Sequence, residues 1–126
     1  MHSIAFHFLD GQSYPRCTAQ VDAVFGDYYA VQFMGSGSMD FRRNASASVR
    51  WNTPTFFWTD RVTRYRYGPG PTCSWAHNWV TFAGETADQY YAPLLRALAP
   101  KGYLPVPDPE EIGGAFSALI LSLIHI

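Results

Sequence analysis

The stretch SWAHNWVTFAG, Ser74 to Gly84, decides the fold. With a period of two, Trp75, His77, Trp79 and Thr81 share one face, while Ala76, Asn78, Val80 and Phe82 share the other. Large or apolar groups stand on both faces, so the segment predicts a strand that can be buried on both sides. Upstream, β-branched and aromatic residues alternate with polar ones and are cut at short intervals by Gly, Pro, Asn and Asp, which predicts further short strands. Tyr28 to Met34 places Tyr29, Val31 and Phe33 on one face, and Gly35, Ser36 and Gly37 then supply the freedom for a hairpin reversal. Ser46 to Trp51, Thr55 to Thr59 and Arg61 to Tyr67 follow as strands. The run Gly68, Pro69, Gly70, Pro71 cannot continue a ladder and predicts a loop. Strands are thus expected over about residues 17–84.

Beyond Gly84 the period lengthens. Thr86 with Gln89 fits a capping box, and Tyr90, Tyr91, Leu94, Leu95 and Leu98 recur with helical spacing over 86–99. Pro93 inside that pattern requires a kink or a new helix start. Asp108, Pro109 and Glu111 give an N-cap, a first-turn proline and an acid in the first turn, starting a helix over 109–120 with Ile112, Phe116, Leu119 and Ile120 on one face. Strands followed by helices predict a mainly β chain: an antiparallel barrel or sandwich with a helical appendix.

The chain has 126 residues, enough for one domain that buries about two thirds of the surface its unfolded form exposes. Apolar residues make up 48% and charged ones 15%, which excludes a disordered chain. A formal charge of -1 excludes the overall electrostatic footprint of a nucleic-acid binder. Arg42, Arg43, Arg50, Arg61, Arg64 and Arg66 nevertheless share a stretch whose one acid is Asp60. Two readings apply to it, an outward strand face kept wet by arginines and a phosphate site, of which the first is preferred because runs of like charge on one element are usually solvated. Cys17 and Cys73 are too few for a disulfide framework or a metal knuckle, and fit reduced thiols in a cytoplasm. No stretch reads as an export signal or a membrane span.

The segments YYAVQFMGSG (28–37), SWAHNWVTFAGE (74–85) and PDPEEIGGAFSALI (107–120), with the turn at Tyr67 and Gly68, together resemble the N-terminal ligand-sensing and dimerisation domain of AraC-type transcriptional regulators. Trp79, Val80, Phe82 and Gly84 after Trp75 carry the resemblance most specifically. It departs at Thr53, Pro54 and Thr55, where the family usually has a Pro-Gly-Asp turn. It implies a cupin-like barrel of the double-stranded β-helix type over 1–120, with one or two C-terminal helices. It also implies a sugar effector, a homodimer, and DNA contact only through a helix-turn-helix domain that this chain does not contain, so the chain reads as truncated. The last six residues, LSLIHI (121–126), resemble translated adaptor sequence, the alternative being a native apolar helix end; they are set aside from functional reasoning.

The resemblance aligns Tyr67, His77 and Trp79 with effector contacts of sugar-responsive members. Period-two spacing adds Trp75, and Tyr65 joins if its strand turns the same face inward. An indole can cover the C–H face of a sugar while phenols and imidazole bond its hydroxyls. The competing reading of each is plain barrel core. Ile112, Phe116 and Leu119 form the expected dimer stripe, against the alternative that this helix packs on its own barrel. A metal-dependent cupin enzyme would need several His and a carboxylate. His2 and His7 lie near the start, His125 lies in the last six residues, and His77 alone falls on an expected strand. No metal, cofactor or catalytic activity is therefore expected. A stand-alone, metal-free cupin module that binds carbohydrate is the alternative to a regulator.

Overall fold

The computed structural model describes residues 7–124, and the side chains of 8–118. Nine strands and two α-helices follow in the order β1 (His7–Cys17), β2 (Val21–Val24), β3 (Tyr29–Gly37), β4 (Met39–Arg43), β5 (Val49–Trp51), β6 (Thr55–Thr59), β7 (Arg64–Pro69), β8 (Trp75–Ala83), α1 (Ala92–Leu98), β9 (Tyr103–Pro105) and α2 (Pro109–Ile124). All pairings are antiparallel. One sheet has the order β1-β8-β3-β6-β9 and the other β2-β7-β4-β5. The core between them draws on both: Met34, Phe57 and Trp75 from the first sheet meet Met39, Phe41, Trp51, Tyr65 and Tyr67 from the second.

The aromatic strand is central in its sheet and buried on both faces, as its composition requires. β8 pairs with β1 on one side and β3 on the other, setting both Gln12 and Gln32 opposite Trp79. Its Trp75 and His77 face the space between the sheets. Val80 and Phe82 turn outward onto the helices, Val80 with Phe33 and Phe116, Phe82 with Tyr29, Ala87, Ala92 and Leu95. The same division runs along β3: Tyr29, Val31 and Phe33 lie under the helices, while Ala30, Gln32 and Met34 point inward.

Several expectations are corrected. Strand structure begins at His7, ten residues earlier than expected, because β1 gains its ladder from β8 despite Gly11 and Pro15, with irregularities at Phe8/Asp10 and Tyr14/Cys17. The Gly35–Gly37 segment is not a hairpin: β3 and β4 belong to different sheets, and the chain crosses between them. Gly37 has φ +89°, and a Cβ there would sit 2.5 Å from the Ser74 carbonyl oxygen, so glycine is required for the crossing rather than for a two-strand turn. Gly68 and Pro69 remain in β7, opposite Asp40 and Met39, before the loop begins. β9 was not foreseen; three residues carry too short a pattern to read, and they pair with β6.

The capping box does not form. Thr86 makes no side-chain cap bond, and the Gln89 carboxamide donates to Glu85 Oε1 at 3.0 Å beside a π-helical turn, Ala87–Tyr91. The helical backbone runs without a break over 85–98, π-helical at Ala87–Tyr91 and α-helical from Ala92, with Pro93 in the first turn of α1. α2 opens as expected: Asp108 Oδ1 accepts from the Glu111 amide at 3.2 Å. It continues to Ile124, past the expected end at 120. Side chains from Leu119 onward, and residues 125 and 126, lie outside what the structure describes. Among the described residues no helix is long and apolar enough to cross a membrane.

Candidate functional site

Residues of both sheets line a cavity of about 260 Å³. Its walls include Gln32 of β3, Thr59 of β6, Tyr67 of β7, and His77 and Trp79 of β8, with Tyr14 of β1 at the side. Among the described residues no Asp, Glu, Lys or Arg lines it. The volume falls just below the roughly 300–1,000 Å³ usual for drug-sized ligands, so a guest would be small.

Three of the five expected contact residues, Tyr67, His77 and Trp79, are brought together on this wall. The other two are placed elsewhere. Tyr65 is fully buried between Phe25 and Phe41, and its hydroxyl accepts the Asp60 amide at 3.1 Å. Trp75 shares the inward face of β8 but lies deeper, in the inter-sheet core, with its ring 4.0 Å from that of His77. Period two gives the face of a strand but not the depth along it. The indole N–H of Trp75, like that of Trp51, is buried with no hydrogen-bond partner among the described residues.

His77 is sandwiched between indoles, with ring centroids 4.0 Å from Trp75 and 4.3 Å from Trp79. Burial lowers its pKa to about 3, so the ring is neutral at ordinary pH. Trp79 is half-buried and also meets Tyr14, 5.3 Å away. The sequence reading missed Gln32, the polar centre of the site. Its carboxamide nitrogen donates to Thr59 Oγ1 at 3.3 Å and to the Tyr67 hydroxyl at 3.4 Å, so its oxygen faces His77 Nε2 at 2.7 Å. That oxygen can only accept, which fixes the imidazole proton on Nε2 and leaves Nδ1 as an acceptor. Burial raises the pKa of the Tyr67 phenol, keeping it protonated and able to donate. A glutamine in the middle of the otherwise apolar YAVQFM run was the available signal, because a buried amide needs partners.

This network makes Gln32→Leu informative. The substitution removes the partner of three buried groups, whose desolvation costs about 1–3 kcal/mol each when unmet. Water entering from the cavity offsets part of that, so a loss of about 2 kcal/mol is expected in urea denaturation. An unchanged midpoint would show that the amide bonds contribute nothing net.

The expected dimer stripe is engaged within the chain. Phe116 is buried and stacks on Phe33 at 6.1 Å, and Ile112 packs beside them, while the Leu119 side chain lies outside the described set. Cys17 and Cys73 are both free thiols. Among the described residues no three His, Cys, Asp or Glu side chains gather in a way that could hold a metal ion.

No protein-family model matches this chain. No curated protein matches it either.

Proposed function

We propose that the chain is the effector-binding domain of an AraC-type transcription regulator, and that its guest is a small neutral polyol such as a monosaccharide. The observation that carries this reading is the uncharged cavity in which an indole face, Trp79, adjoins a bonded set of polar groups, Gln32, Tyr67 and His77. An apolar wall with a few directed polar groups suits a ring whose faces are C–H and whose edge is hydroxyl. A strand order of β1-β8-β3-β6 facing β2-β7-β4-β5 supports a cupin-type barrel, since two interleaved Greek keys produce that order; β9 extends it.

The proposed mechanism is a population shift. The guest binds one arrangement of the barrel better than another, and a DNA-binding domain or a partner subunit responds to that difference. A homodimer and a cytoplasmic location belong to the same reading.

Trp79→Ala is expected to abolish the fluorescence and melting response to the best ligand from a panel of neutral pentoses and hexoses while leaving a folded protein. A response equal to that of the unaltered chain would take Trp79 out of the site. Genomic sequence past codon 120 separates the regulator from a free-standing carbohydrate-binding module. Two helix-turn-helix units within about a domain's length support the former, and an immediate stop codon the latter.

A further inference from the structure

Both helices pack on the five-stranded sheet, which leaves the outer face of β2-β7-β4-β5 open to solvent. Four arginines of the basic stretch stand on this face with two aspartates, and they fall into two unlike pairs. Arg64 grips Asp22 with Nε and a terminal nitrogen, at 2.7 and 3.1 Å, and Arg50 grips Asp40 in the same way at the same distances. Those fork-to-fork contacts occupy both oxygens of each carboxylate.

Arg66 and Arg42 are left over. Arg66 reaches Asp22 through Nε alone at 3.4 Å, sharing an oxygen that Arg64 already holds. Arg42 uses Nε on the Ser46 carbonyl at 2.8 Å and has no carboxylate within ion-pair distance among the described residues. The two are register partners across β4 and β7, an arrangement of like charges that disfavours the sheet. Both line a surface recess of about 440 Å³ together with Ser48, Gln20 and the two aspartates, whose oxygens are held by Arg64 and Arg50 from outside the recess. Gly68 lies in the recess, where a Cβ would collide with the Gln20 carboxamide folded over it.

From this geometry we infer that Arg42 and Arg66 form a binding site for a compact dianion, held by the terminal nitrogens, which make no hydrogen bond among the described residues. A phosphate monoester and a small dicarboxylate present the same chemistry to two guanidinium forks: paired oxygens, and two negative charges to match the excess of four arginines over two aspartates on this face. The site shares Val21 and Tyr67 with the uncharged cavity between the sheets but does not depend on the reading given to that cavity.

Melting curves at pH 7.5 and constant ionic strength, with inorganic phosphate in one series and malonate in another against sodium chloride, test the site. A rise in Tm beyond that in sodium chloride, about 3–5 °C at ten times the dissociation constant and growing with the logarithm of anion concentration, is expected in at least one series. A rise with phosphate alone assigns a phosphoryl ligand, and with malonate alone a dicarboxylate. Arg42→Gln/Arg66→Gln is expected to lose the response, whereas Arg96→Gln, which removes a charge from α1, keeps it. The single variant Arg66→Lys, which retains the charge but loses the fork, should raise the dissociation constant fitted from the Tm series at least fivefold. No rise beyond that in sodium chloride in either series overturns the site, as does a rise that survives in the double variant or disappears in Arg96→Gln.

Discussion

Phe41→Ala is expected to cost about 4 kcal/mol, because a phenyl ring deleted from a closed core leaves a cavity as well as lost burial. Phe41 is 2% exposed and touches five other rings: Trp51 at 4.7 Å, Tyr103 at 5.8 Å, Phe57 at 6.0 Å, Tyr65 at 6.1 Å and Tyr67 at 6.2 Å. Tyr103 and Phe57 belong to one sheet, Trp51, Tyr65 and Tyr67 to the other, so this ring joins the two layers. Domains of this size are stable by only about 5–15 kcal/mol, and the variant is expected to melt at least about 10 °C lower. Phe41→Leu, which retains most of the volume, should cost much less. A loss below about 1 kcal/mol for Phe41→Ala in chemical denaturation would contradict the placement of this ring between the sheets.

Acid is expected to unfold the protein through His77. The folded state holds this imidazole neutral with a pKa near 3, whereas in the unfolded chain it titrates near its ordinary value of 6.5. Between those values the unfolded state binds the extra proton, so stability rises with pH across the window and is lost as pH falls from about 6.5 toward 3. Each pH unit within it is worth about 1.4 kcal/mol, so lowering the pH from 7.5 to 4.5 should remove about 3 kcal/mol. His77→Leu loses the bond to Gln32 and starts less stable at neutral pH, but its stability should be nearly flat over that range. Equal acid slopes in the two proteins, measured by urea denaturation at both pH values, would mean that the ring is not held neutral by burial.

The two tests bear on different parts of the same interior. Phe41 probes the buried aromatic cluster, and His77 probes the polar cavity beside it. The transition between them falls along β8, with Trp75 in the core, His77 beneath a bonded amide, and Trp79 half-exposed at the cavity wall. Three inward side chains spaced two residues apart thus meet three environments. Gln32 is what separates them, because its amide satisfies His77, Tyr67 and Thr59 at once and keeps that depth polar without a charge.

The sequence by itself determined the local patterns. The period-two faces of Trp75 to Phe82, the start of a helix at Asp108 and Pro109, and the place of Pro93 in the first turn of an α-helical segment all depend on residues within one or two turns of each other, and all are present in the structure. The convergence of Tyr67, His77 and Trp79 on one cavity wall was legible too, from the resemblance and the shared face of one strand. Tertiary structure alone decided the rest. Whether Gly35–Gly37 returned the chain within one sheet or carried it to the other depended on the partners of β4, and the strand character of residues 7–16 depended on β8 some seventy residues away. Which arginines found carboxylates was likewise set by Asp22, 42 residues from Arg64 in sequence and adjacent across β2 and β7. A side chain's periodicity is fixed by the bonds to its neighbours, but its depth, its cross-strand partner and the cost of its charge are fixed by whatever the folded chain brings beside it.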